Sequence, residues 1–322
     1  MAIRRFMPAS PHPEPRADVD GRLIAGMIAA VLAISTAAPA IRLAEPLGSE
    51  AVACVRVTIT GLGLMLFAWP STRAAAKALA AAPRERRLTV LAGLCLAAHF
   101  ATWIASLSLT SVVRSVALVS TQPLWAGLIA RAMGERVPTR LYLGSLVALV
   151  GTVVMVAEPG AGLGESGAWA WLGDGLALIG AMTAAVYLAL GRKIHEGLGE
   201  ALPVEGYFVL VNVVAGLSLW SFALLRGADF QPTGVAWQDW SAILWLGLVP
   251  GLVGHGLLNW AVRRVPVHTV SLATLLEPVG AAIIAWLLLG EGVGVREAVG
   301  GLILLGGVGL GLPRVGGESA RD

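Results

Sequence analysis

Residues Val270–Gly292 read VSLATLLEPVGAAIIAWLLLGEG, and Val116–Arg136 read VALVSTQPLWAGLIARAMGER. Each is an apolar helical run with one polar residue directly before a proline: Glu277-Pro278 in one, Gln122-Pro123 in the other. Each closes on a Gly-Glu pair, Gly290-Glu291 and Gly134-Glu135. An offset of 155 residues carries Gln122 onto Glu277, and one of 156 carries Glu135 onto Glu291. Two half-length copies in one apolar chain predict an internally duplicated membrane protein.

Composition supports that class. The chain has 322 residues, 57% of them hydrophobic and 13% charged, with mean hydropathy +0.77. A soluble domain carries about a quarter charged residues, so there is too little charge here to cover a water-facing surface. The net charge of +3 is small, and the arginines sit at span ends rather than among aromatics on a polar face. Nucleic acid is not expected as a partner. Cys54 and Cys95 both lie in apolar runs and read as packing residues, with no disulfide and no metal. The 40 glycines suit close helix contacts, as at Gly247-x-x-x-Gly251 and Gly307-x-x-x-Gly311.

Taken in order, residues 1–20 are polar and proline-rich and read as a disordered cytoplasmic tail. Ten apolar runs follow, at 22–41, 50–69, 88–110, 112–133, 139–157, 169–190, 205–225, 241–262, 266–289 and 295–312. A short tail over 313–322 closes the chain. Most runs approach the ~20 residues a spanning helix needs. A cleaved leader ending near Ala38-Pro39-Ala40 is the rival reading of the first run. It would leave nine spans where the duplication calls for five and five.

The expected architecture is therefore all-α: ten transmembrane helices as two inverted five-helix repeats, 21–157 and 169–312, joined by an external linker over 158–168. With a cytoplasmic N-terminus, 18 of the 23 Lys and Arg fall on the cytoplasmic side and four (Arg42, Arg114, Arg226, Arg296) outside. Arg56 is the remaining one, inside a span. That bias places both termini in the cytoplasm. Five helices per copy is an odd number, so the second copy enters the bilayer upside down, as in secondary transporters with a midplane site.

An ionisable group within a span is a functional candidate by default. Glu277 lies near the centre of its run, where an acid costs about 2.5–3.5 kcal/mol. Pro278 removes a backbone donor and frees the carbonyl of Thr274, leaving a polar notch. Burial and a nearby cation would pull the protonation of Glu277 in opposite senses. Arg56 is seventh in the second span; it could bind an anion, pair with Glu277, or snorkel to the outer interface. His99 and Trp103 share a helix face with Thr102 and Ser106, and His255 and Asn259 share one with Gly251. His99 and His255 are nearly equivalent under the same offset. A central cavity lined by helices 3, 4, 8 and 9 follows, with Glu277, Arg56, His99, Trp103, Gln122, His255 and Asn259 as its candidates and Pro123 and Pro278 as helix breaks. No HExxH, GxSxG, Walker or GxGxxG motif appears, so neither an enzyme nor a self-contained ATP-driven pump is expected, and no cofactor.

These features resemble the EamA family of the drug/metabolite transporter superfamily. The resemblance rests on the ten spans in two copies, on Pro123 with Gly134-Glu135, on Pro278 with Gly290-Glu291, and on Arg42 after Pro39 and Arg56 opening helix 2. Ile34-Ser35 stands where that family usually has Trp-Gly. The resemblance implies a multi-pass inner-membrane exporter of small metabolites such as amino acids, working by alternating access. Its partners would be a small-molecule substrate, the lipid bilayer and, for coupling, protons. Two other readings are a flippase for a lipid-linked group on the same scaffold and a non-transporting sensor or partner subunit.

Overall fold

The computed structural model describes residues 21–110, 112–156, 169–228, 230, 235–284 and 294–312. The two tails, the linker at 158–168, Gly290-Glu291 and Trp286 lie outside the described residues. Every regular element described is helical. The first copy contains α1 (Gly21–Ser35), α2 (Ala37–Leu43), α3 (Ser49–Phe67), α4 (Trp69–Ala81), α5 (Pro83–Leu109), α6 (Val112–Val119), α7 (Gln122–Ala132) and α8 (Thr139–Val156). The second contains α9 (Ala170–Leu198), α10 (Val204–Arg226), α11 (Trp237–Leu246), a π-helical stretch (Gly247–His255), α12 (Gly256–Ala261), α13 (Val267–Thr274), α14 (Glu277–Ile284) and α15 (Val295–Gly311).

Among the described residues, seven helical segments have the length and hydropathy to cross a membrane. They are Gly21–Ile41, Ser49–Phe67, Pro83–Leu109, Ala170–Ala201, Val204–Arg226, Trp237–Ala261 and Val267–Ile284. Thr139–Met155 and Ala298–Gly311 are shorter apolar helices, and the run over 112–133 is divided into α6 and α7. The basic segment after the second run folds as α4, with Pro70 at its start where a missing amide proton costs no helical bond.

Prolines set the breaks. Pro39 leaves the carbonyl of Ser35 without its i+4 donor, and α1 gives way to α2 at Thr36. Pro250 does the same to the carbonyl of Leu246, and the chain widens there into the π-helical stretch. Before Pro123 and Pro278 the backbone tightens into i→i−3 bonds: Thr121 N to Leu118 O at 3.1 Å, and Leu276 N to Ala273 O at 3.0 Å. These are the same bond moved by 155 residues.

The Gly134-Glu135 pair has a plain structural meaning. Gly134 ends α7 at φ 90°, a conformation that suits glycine. Its N–H donates to Arg131 O and that of Glu135 to Ala130 O, both at 3.0 Å, closing a Schellman turn. The turn delivers the Glu135 carboxylate to 4.0 Å from Nε of Arg192 on α9.

Helix contacts repeat across the two copies. The α5–α9 interface is matched by that of α1 with the π-helical stretch and α12; α7 against α9 is matched by α14 against α1. Helices α3 and α10 pack on each other, as do α7 and α13, and α8 and α15. The α8–α15 seam is built from glycine. A Cβ added at Gly144, Gly151, Gly300 or Gly307 would land within 3 Å of backbone atoms of the opposite helix. Such approach maximises van der Waals contact where water supplies no driving force. Gly247 and Gly251 likewise face Ile59 and Thr60 of α3. Thr60 donates its hydroxyl to Gly247 O at 2.8 Å, tying α3 to the π-helical stretch. Cys54 and Cys95 are free thiols.

Candidate functional site

Among the described residues, the packing leaves a cavity lined from both copies. Its volume is about 70 Å³. Six of the residues singled out in the sequence line it: Arg56, His99, Trp103, Gln122, His255 and Glu277. They come from α3, α5, α7, the π-helical stretch and α14, so four of the five sit on the helices expected to form the cavity.

Gln122 and Glu277 each open the second part of a broken helix, directly after the tight turn. A side chain there is released from the helix wall into the space the break creates. Gln122 reaches Ser271 Oγ at 3.5 Å, the outer limit of a hydrogen bond. Pro123 and Pro278 are buried behind them and do not line the cavity.

His99 and His255 meet across the interface between the copies, their ring centroids 6.5 Å apart. Phe100 packs edge-on to His255 at 5.4 Å and tilted against His99 at 4.9 Å. Trp103 stacks on His99 at 5.8 Å. The Nδ1 of His99 lies 2.9 Å from Gly180 O. A carbonyl only accepts, so Nδ1 carries the proton and Nε2 of the neutral ring is an acceptor.

Arg56 does not snorkel. It is 1% exposed, and its guanidinium lies over the Phe100 ring at 4.2 Å from the centroid. No ion pair within 4.0 Å joins Arg56 to Glu277 among the described residues. The cavity therefore presents a cation and a carboxylate as separate stations in an apolar surround, where each acts at low effective dielectric.

Asn259 does not line the cavity. It lies behind the wall, where its amide donates to the Tyr187 hydroxyl and, at 2.7 Å, to the His255 carbonyl. Tyr187 itself is a lining residue, with Ser120, Thr274 and Pro250. Sequence reasoning passed over Tyr187 because α9 seemed a uniform apolar span. The signal was available: a tyrosine deep within a span needs a partner for its hydroxyl. Pro250 was equally visible, seven residues after Ile243 in the middle of a run.

A model of the EamA-like transporter family matches residues 22–157 and again 171–311. An uncharacterized transporter of Archaeoglobus fulgidus is 24% identical over 65% of this chain and 70% of its own length. A probable terminal-alkyne amino-acid exporter of Streptantibioticus cattleyicolor is 25% identical over 88% of this chain and 90% of its own. A solved crystal structure matches with TM-score 0.72 at 18% identity, over 90% of this chain and 96% of that one; this likeness shows the fold.

Proposed function

Since the chain belongs to the EamA-like transporter family, we propose that it is a secondary-active exporter of small amino-acid-like metabolites, cycling by alternating access about the central cavity. The observation that carries this reading is the cavity itself. It lies between the two copies, and a buried cation and a carboxylate face it inside an apolar bundle. Charge placed there is costly and serves no packing need, so a substrate path accounts for it. The name of the Streptantibioticus relative points to amino acids as the solute class.

In this reading the chain crosses the membrane ten times, as two inverted repeats with both termini cytoplasmic. The repeated helix contacts support the inversion, and the arginine and lysine distribution supports the orientation. Glu277 is the coupling acid. Protonated, it is cheaper to leave unpaired, so the inward-open and outward-open states can differ in protonation and hence in proton affinity. Gln122, His99, His255 and Trp103 shape the cavity around it, and Asn259 holds Tyr187 in the wall.

The test is a metabolite profile of cells and medium with and without expression. One or a few amino-acid-like solutes should leave the cells and appear in the medium; no change in any solute would sink the exporter reading. Reporter fusions at Gly227 and Pro83 should read outside and inside respectively, and the reverse pattern would overturn the orientation.

A further inference from the structure

Two buried donors on the cavity wall have no acceptor among the described residues. Nη1 of Arg56 and Nε1 of Trp103 are both without a hydrogen-bond partner, and the two residues are 1% and 7% exposed. A donor left unpaired in an apolar interior is costly, and more so when charged. The neighbours do not relieve them. The Phe100 ring, 4.2 Å from the guanidinium carbon, offers no hydrogen-bond acceptor of ordinary strength. Glu277 stands beyond ion-pair distance. His99 accepts from neither donor. A guanidinium held over a ring, with an unpaired N–H on the cavity wall, suits a carboxylate. Much of the remaining wall is aliphatic, from Ile34, Val119, Leu188, Leu258 and Leu275.

We propose that Arg56, with the indole N–H of Trp103, is the receptor for the substrate's carboxylate, and that the substrate is a zwitterion with an aliphatic side chain whose ammonium group turns toward Glu277. This rests on the transporter reading of the cavity. A neutral dipole of that kind satisfies Arg56 and Glu277 together without bringing net charge into the bundle. It also makes coupling competitive: a proton on Glu277 removes the negative charge that the ammonium group requires. Protonation thus releases substrate, and substrate binding expels the proton.

The experiment uses the purified full chain in liposomes and follows exchange of labelled leucine. Competitors are leucine, leucine methyl ester, 3-methylbutylamine (leucine without its carboxylate) and 4-methylpentanoate (leucine without its amino group). Leucine should exchange, 4-methylpentanoate and 3-methylbutylamine, each keeping one of the two charges, should compete weakly, and the ester should fail. Arg56→Gln should raise the leucine concentration needed for half-maximal exchange roughly thirtyfold or more, the size expected for unpairing a buried charge. Arg56→Lys keeps the charge but loses the planar fork, so the rise should be smaller; it also carries the test if the glutamine variant fails to fold. Neither substitution should alter the weak effect of 3-methylbutylamine, whereas general damage to the protein would lower every solute alike.

Equal competition by leucine and the amine in the wild type would overturn the proposal. So would wild-type leucine affinity in both variants, or an absence of leucine exchange. Export of other solutes in the expression profile, without leucine exchange, would leave transport standing and remove the carboxylate receptor.

Discussion

Gln122 and Glu277 occupy one place in two copies. Each opens the second part of a broken helix, precedes a proline and lines the cavity. The backbone around them is repeated down to a single turn hydrogen bond, yet one side chain can titrate and the other cannot. Arg56 shows the same divergence. Helices α3 and α10 begin at Ser49 and Val204, 155 residues apart, and that offset takes Arg56 to the apolar Val211. The frame is duplicated while the charges are not. In the proposed transport cycle, a two-fold frame with one cation and one acid would give a bound solute a single orientation, which a fully symmetric cavity could not impose.

The strongest way to break this comparison is to make the halves chemically alike. Glu277→Gln preserves shape and abolishes titration. In proteoliposomes with an imposed pH gradient it should lose gradient-driven accumulation, about tenfold for each pH unit imposed if one proton is exchanged per solute. Exchange without a gradient should survive. Equal gradient-driven flux in both proteins would make Glu277 a structural residue and the two breaks equivalent.

A smaller effect sharpens the comparison where the copies do match. Gly151 on α8 and Gly307 on α15 each face backbone of the other helix. Gly151→Leu and Gly307→Leu should therefore destabilise alike, by about 1–3 kcal/mol or more as overpacking, read as a lowered melting temperature in detergent. Gly306→Ala, which meets nothing within 4 Å, should leave it unchanged. A large difference between the two leucine variants would show that the seam is not shared equally.

The smallest expected change concerns a residue that only the second copy has. Tyr187 falls, by the same offset, on Leu32. Tyr187→Phe removes the hydroxyl that Asn259 meets, but Asn259 keeps the His255 carbonyl. The expected loss is about 1 kcal/mol, measured by thermal unfolding. A loss of several kcal/mol would place Tyr187 at the centre of the core rather than on its wall.

The duplication, the helical class and the two polar breaks were legible because they depend on local rules: apolar run length, and proline's missing donor. The run over 241–262 reads as one continuous span, yet Pro250 widens it. A π turn takes up extra residues, so the ring that meets His99 belongs to His255, not to the residue at 155, Gly254, which packs on Ile34. Asn259 shares its helix face with His255 as the i,i+4 spacing implied, but Tyr187 from α9 captures its amide. No periodicity within one helix reveals which neighbour arrives. The fate of Arg56 was open for the same reason, since the Phe100 ring that holds it belongs to a helix more than forty residues away.

The α8–α15 seam also dictates an order of events during synthesis. Helix α8 is complete at Val156, but the helix on which its glycine face packs begins only at Val295. For the time needed to make the intervening residues, that face lacks this partner. The first copy enters the bilayer with one flank unlocked, and α15 fastens it as it arrives. A nascent chain arrested before Val295 should be open to intramembrane proteolysis along α8, and one arrested after Gly311 should resist it.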